Sequence, residues 1–277
     1  MPDDARSPFG ICLRVTADSH THTERERYCH ANVRLFPRGG MNGNVAAKMR
    51  RSTKRSRRPS VVIFDVGGVV AESPVVAIKE FAISRGFVAD TFNPFLAKSD
   101  AFAQLMNGKI NLIEFPRLAF EESTHKNYAD GRSIGVAGWE ELARCLAAGS
   151  SYRPEMLSAI ESLKSHGFKV CALTNNFQVG DKEERELGAF KARFDHFIES
   201  RILGVMKPFP QIYEEALRMI QCRPDEAVFL DDIGKNLVHP RRMGITTIKV
   251  INETPTSFKD ALRELELVTG VPLLARL

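Results

Sequence analysis

Three polar residues stand where three apolar runs stop: Asp65 after VVIF, Thr174 after FKVCAL and Asp231 after AVFL. Two carboxylates and a hydroxyl can hold a ligand through charge and hydrogen bonds, provided the fold gathers them. Any one of them alone would be an ordinary turn residue. The three at equivalent places mark a candidate site, and the elements that carry them decide whether it forms.

Those runs, with a longer one at 245–251 (ITTIKVI) and a short one at 196–198, read as strands buried on both faces. Gly67 and Gly68 follow the first run and predict a tight turn. Helical patterns lie between the later runs. Pro154 opens one with Met156, Leu157, Ile160 and Leu163 in register, closed by Gly167, and Pro210 opens another with Ile212, Tyr213, Ala216, Leu217 and Ile220 on one face. The last carries Phe258, Ala261, Leu262, Leu265 and Val268 and ends at Gly270. Strand and helix in alternation predict an α/β fold, a Rossmann-like, doubly wound parallel sheet joined by right-handed crossovers. Ligands of such sheets bind outside the carboxyl ends of the strands, where Asp65, Thr174 and Asp231 fall.

One stretch breaks the alternation. Residues 72–151 carry no strand pattern, only helical ones at 75–85, 110–122 and 136–148, and this is far more chain than a crossover needs. We read residues 74–150 as a helical cap inserted between the first and second core strands, with residues 59–73 and 151–277 forming the core. A cap there would shape a pocket and exclude water. Trp139, Phe115 and Phe120 are expected in its interior rather than on a stacking surface.

The formal net charge of +5 is unevenly placed. Residues 1–58 hold 13 basic and 5 acidic side chains, against 26 and 29 in the rest, so the body is mildly acidic and nucleic acid is not its expected partner. The leader has no sustained period and is expected to be disordered. Its run KMRRSTKRSRRP (48–59) reads first as a solvated basic linker, with a nuclear address or polyanion-binding arm as the functional alternative, and Met41 and Met49 are alternative starts. Acidic residues Asp3, Asp4, Asp18, Glu24 and Glu26 argue against a mitochondrial presequence, and no apolar core of a secretory signal is present. No run approaches the roughly 20 apolar residues of a bilayer-spanning helix, so no membrane partner is expected and a cytoplasmic location is. Five scattered cysteines (Cys12, Cys29, Cys145, Cys171, Cys222) without a CxxC pair fit a reducing compartment, and Cys171 reads as a small buried hydrophobe. His125, His166 and His196 have no metal-ligand spacing. A homodimer is compatible with all of this.

The strings VVIFDVGGVV, ALTNNF, GVMKPFPQIY and VFLDDIGKNL, in this order, resemble the haloacid dehalogenase superfamily over residues 60–270. Within it, IES, MKP, QIY and FLDDIGKNL are similar to the amino-terminal phosphatase-type domains of soluble epoxide hydrolases, and LTNNF and TIKV to the corresponding domain of a multidomain acyl-CoA dehydrogenase. Neither an epoxide hydrolase nor a dehydrogenase domain is expected within this sequence.

The resemblance implies a hydrolase in which Asp65 attacks a phosphoryl group and forms an aspartyl phosphate. It implies a Mg2+ held by Asp65 and Asp232 with the Gly67 carbonyl as a third ligand, Asp231 supporting that shell. Lys207 would neutralise the transferring oxygens, while the Thr174 hydroxyl and the Asn175 amide donate to them, and Asn176 and Phe177 extend this loop toward a small phosphorylated substrate. Singly, Thr174 could cap a helix, Lys207 lie on the surface and Asp231–Asp232 form a turn. Their joint order favours the site.

This sequence departs from the superfamily pattern at Gly67, where phosphatases usually carry a second Asp as general acid, a contribution of about 100- to 10,000-fold. Good leaving groups, or an acid recruited from elsewhere such as Glu72, would compensate. The alternatives are a dehalogenase, whose halide leaves without a proton, and a non-catalytic relative that binds phosphate or a partner. Asn236 falls where many relatives carry an acid and is a candidate to orient Lys207 or the metal shell.

Overall fold

The computed structural model describes residues 59–124, 134–148, 151–179 and 181–274. The leader with its basic run, its cysteines and its candidate starts, and also His125, lie outside the described residues. Five strands form one parallel sheet: β1 (Val61–Phe64), β2 (Lys169–Thr174), β3 (His196–Glu199), β4 (Ala227–Asp231) and β5 (Thr246–Lys249), in the order β3-β2-β1-β4-β5. All four neighbouring pairs are parallel. Strand β1 is central because it is the most apolar: its four residues are all buried and must be covered on both faces. The predicted α/β class is what the chain adopts.

The pleat assigns alternate residues to opposite faces. Val62, Phe64, Val170, Ala172, Val228 and Leu230 pack on one side, against helices α6 (Pro154–Ser165) and α11 (Phe258–Thr269). Val61, Ile63, Cys171, Leu173 and Phe229 pack on the other, against α9 (Pro210–Ile220). Helices α6 and α9 begin at Pro154 and Pro210, whose fixed φ suits the first helical turn, and α11 stops at Gly270, whose φ of 75° turns the chain out of the helix. Helices α7 (Asp181–Lys191), α8 (Ser200–Leu203) and α10 (Val238–Met243), not foreseen from periodicity, complete the crossovers.

Between β1 and β2 run α1 (Pro74–Ser84), α2 (Phe92–Leu96), α3 (Asp100–Met106), α4 (Phe115–Thr124) and α5 (Gly135–Ala147). They bury an interior of their own around Trp139, which meets the rings of Phe92, Phe95 and Phe115. The pattern at 110–122 foresaw a longer α4 than exists. Asn111 caps it, its Oδ1 accepting from the Ile113 and Glu114 amides, so residue 110 lies outside and regular helix starts at Phe115. Two links join these helices to the sheet, and they lie side by side: the Glu72 amide donates to the Ser151 carbonyl at 3.0 Å and Ala71 bridges Tyr152. Among the described residues no helix is long and apolar enough to cross a membrane.

Candidate active site

The chain runs from β1 to β2 and β3 on one side, then returns to β4 on the other, so the crevice between β1 and β4 is the switch point of the sheet. Asp65 and Asp231 stand on its two sides, since the Asp65 amide donates to the Leu230 carbonyl at 2.9 Å. Thr174, buried, is the last residue of β2 beside them.

Lys207 lies at the centre. Its side chain is 1% exposed, and Nζ donates to Asp65 Oδ1 at 2.8 Å, Asp231 Oδ2 at 2.8 Å and the Leu173 carbonyl at 2.9 Å, which satisfies all three of its protons. Asn175 fixes the backbone of Lys207 twice: Oδ1 accepts from the Lys207 amide at 2.8 Å and Nδ2 donates to its carbonyl at 3.0 Å. Burial lowers the lysine's proton affinity, but Asp231 and Asp65 outweigh it and hold the ammonium above its ordinary value.

Asp65, Asp231 and Asp232 each place a carboxylate oxygen within 4.8 Å of the others. Three carboxylates face one ammonium, so the cluster is short of positive charge. Burial, then Asp231 and Asp232, push the Asp65 carboxyl well above its usual range against the pull of Lys207. Burial and then Asp231 likewise raise Asp232. An all-oxygen donor set with unbalanced negative charge fits a hard divalent cation.

The two neighbouring aspartates differ in their commitments. Asp231, fully buried, accepts from Lys207 Nζ, from Asn236 Nδ2 at 3.1 Å on both oxygens and from the Ile233 amide at 2.8 Å. It is thus the brace of Lys207, with Asn236 as the brace of Asp231. Asp232 is less enclosed, its Oδ2 accepting from Asn252 Nδ2 at 3.1 Å and Ser73 Oγ at 3.4 Å. Gly68 makes room for it: φ is 79°, and a Cβ there would stand 2.1 Å from Asp232 Oδ2. Gly67 lies in the same turn. Beside Asp232 opens a cleft of about 480 Å³, lined by Val76, Ile233 and Val250 with Lys79 and Lys249.

Not every residue expected here faces the crevice. Asn176 turns its donors to the protein, Nδ2 to Glu199 Oε2 at 2.7 Å and its amide to Ser200 Oγ at 3.1 Å. Phe177 packs with the interior of α1–α5. The Asn175 side chain belongs to Lys207, which leaves its backbone amide as the group to meet a ligand. Glu72 is exposed in the first link. Cys171 is buried in β2, which pushes its thiol up to about 12. His166 bonds its own helix, and His196 opens β3.

Sequence reasoning missed Ser73, Arg153, Glu199, Ser200 and Asn252. Glu199 accepts from Lys191, Arg201 and Asn176 at 2.7, 2.8 and 2.7 Å. Ser200 donates to the Met106 carbonyl at the end of α3, and a Cβ on Gly108 would meet the Arg201 carbonyl at 2.4 Å, so α3 and α8 approach closely beside the Thr174 loop.

The chain matches the family model for haloacid dehalogenase-like hydrolases over residues 59–237, and it belongs to that family. It is 36% identical to bifunctional epoxide hydrolase 2 of Rattus norvegicus over 76% of this chain and 39% of that protein. It is 31% identical to acyl-CoA dehydrogenase family member 10 of Mus musculus, over 83% and 21%. The chain thus spans well under half the length of these two relatives. A sesquiterpene phosphatase of Aspergillus oryzae is 26% identical over 73% of this chain and 94% of its own. Among solved structures, a HAD-like hydrolase of Porphyromonas gingivalis superposes with a TM-score of 0.53 at 20% identity, covering 76% and 98%.

Proposed function

We propose that the chain is a Mg2+-dependent phosphatase of small organic phosphates, with Asp65 as nucleophile. The observation that carries this reading is the Lys207 ammonium held against Asp65 in a buried crevice with a surplus of carboxylates. An Asp65 oxygen attacks phosphorus as the bond to the leaving oxygen breaks, giving an aspartyl phosphate that water then hydrolyses. Lys207 meets the charge on the transferring oxygens without reorganising, because its three acceptors already fix it. Thr174 and the Asn175 amide donate from the end of β2. Asp65 and Asp232, with the Gly67 carbonyl, would hold Mg2+, whose charge would offset that of the phosphoryl group. The cleft beside Asp232 has room for the organic part, and helices α1–α5 would form the cap that limits its size.

Gly67 offers no acid for the leaving oxygen. The reading therefore favours acyl phosphates, and esters whose leaving group departs without a proton. The same residue favours one second reading, a relative that binds phosphate without turning it over. Release of phosphate from acetyl phosphate and from an aryl phosphate, with and without Mg2+, tests both, Asp65→Asn serving as control. Turnover that needs Mg2+ and Asp65 supports the phosphatase. Binding of phosphate without release from either compound supports the second reading.

A further inference from the structure

We propose that Asn252, oriented by Arg153, is a positioning residue that holds Asp232 for its cation and ties it to both links of the inserted helices. The proposal rests on the reading of Asp232 as a metal ligand. Asn252 follows β5 and is exposed, where an asparagine needs no fixed partner. Yet each polar atom of its side chain is engaged. Nδ2 donates to Asp232 Oδ2 at 3.1 Å and to the Gly68 carbonyl at 2.9 Å, and Oδ1 accepts from Arg153 Nη2 at 3.0 Å.

This pattern admits one amide orientation. A flipped Asn252 would set its oxygen against a carboxylate and a carbonyl, and its NH2 against a guanidinium. Arg153 selects the orientation, and it is itself fixed: Nη1 donates to the Gly68 and Val69 carbonyls at 3.0 and 3.1 Å, and its guanidinium carbon stands 4.6 Å from the centre of the Phe258 ring.

The origin of these groups gives the arrangement its meaning. Arg153 belongs to the link that returns from α5, and its amide donates to the Val70 carbonyl at 2.8 Å. Ser73, in the outgoing link, reaches the same Asp232 Oδ2 directly at 3.4 Å. Both links therefore converge on one carboxylate oxygen, one through Ser73 and the other through Arg153 and Asn252. The Gly68 carbonyl, held by Arg153 and Asn252 together, fixes the turn that follows Asp65. With Oδ2 taken by these donors, the proposal assigns the other oxygen of Asp232 to the cation.

The test titrates Mg2+ alone against the thermal midpoint of the full chain, so affinity is read without turnover. Wild type is expected to gain stability with Mg2+, and Asp232→Asn to lose that gain. Asn252→Ala is expected to need about 10- to 100-fold more Mg2+ for the same gain, the usual loss when a group that orients a metal ligand is removed. Its Mg2+-free midpoint stays close to wild type because the side chain is exposed. Asn252→Gln keeps both donors and is expected to recover most of the affinity, which a packing role would not predict. Should Asn252→Ala take up Mg2+ like wild type while Asp232→Asn has lost it, the proposal is overturned and the metal reading stands. A wild type that gains nothing from Mg2+ overturns both.

Discussion

Lys207 Nζ lies 2.8 Å from Asp65 Oδ1, with side-chain exposures of 1% and 8%, so carboxylate and ammonium form a single dry pair. Lys207→Met removes the charge at similar volume and leaves Asp65 and Asp231 buried without it. We expect a loss of about 3–5 kcal/mol in stability, the usual range for breaking a buried pair from one side. Denaturant unfolding measures it. Adding Asp65→Asn should restore part of the loss, and a strictly additive double variant would show that the two groups do not interact.

Asp65→Asn alone has the opposite signature. It removes one carboxylate from a cluster short of positive charge, so the Mg2+-free midpoint is expected to hold or rise. Turnover should fall at least about 1,000-fold, as for loss of a covalent nucleophile. A variant that still released phosphate at near wild-type rate would move the nucleophile elsewhere.

Gly67→Asp reinstates the missing acid. A Cβ there meets Pro74 Cδ at 3.1 Å, so the start of α1 must give by a few tenths of an ångström. The variant is expected to fold and to cleave esters with poor leaving groups about 100-fold faster, with acetyl phosphate little changed. Equal effects on both substrates would show that leaving-group protonation is not what Gly67 withholds.

Glu199 makes stability acid-sensitive. Burial alone would raise its carboxyl, but Lys191, Arg201 and Asn176 outweigh this and hold it below the ordinary glutamate value. A depressed value in the fold means stability that is full above the ordinary value, near pH 4, and is lost as pH falls through the depressed one. Glu199→Gln should cost about 2 kcal/mol at pH 7, the scale of a hydrogen bond to a charged group, and less at an acid pH below the ordinary glutamate value. Melting curves at the two pH values give the comparison; a gap that does not narrow in acid would count against it.

The inner strands β1, β2 and β4 could be read in advance because each lies on an apolar run that a polar residue ends, whereas the edge strands β3 and β5 mix apolar and polar residues. What the runs could not give were their last residues. Thr174 and Asp231 are themselves the final residues of β2 and β4, since the ladder extends to Glu199 and Lys249 on their neighbours. Lys207 touches both Asp65 and Asp231, and Thr174 ends the strand beside β1. The partners of Asn176 were not legible because Glu199 and Ser200, which take its donors, come 23 and 24 positions later. Arg153 and Asn252 gave no sign at all: their shared partner, the Gly68 carbonyl, is 85 and 184 positions away. Residues that assist others through distant backbone oxygens have no local signature. Helices α2 and α3 were too short for a helical period to emerge.

Strand β1 lies at the centre of the sheet, yet it pairs with segments that begin at Lys169 and Ala227. During synthesis VVIF has no ladder partner until about a hundred further residues have been made. The helical insertion between β1 and β2 therefore delays nucleation, and the α1–α5 bundle, rich in local contacts, is free to collapse first. Refolding is expected in two phases, fast for the helical signal and slower for burial of the β1 face, with stopped-flow circular dichroism and dye binding to tell them apart. Aggregation in this protein should begin from that waiting strand.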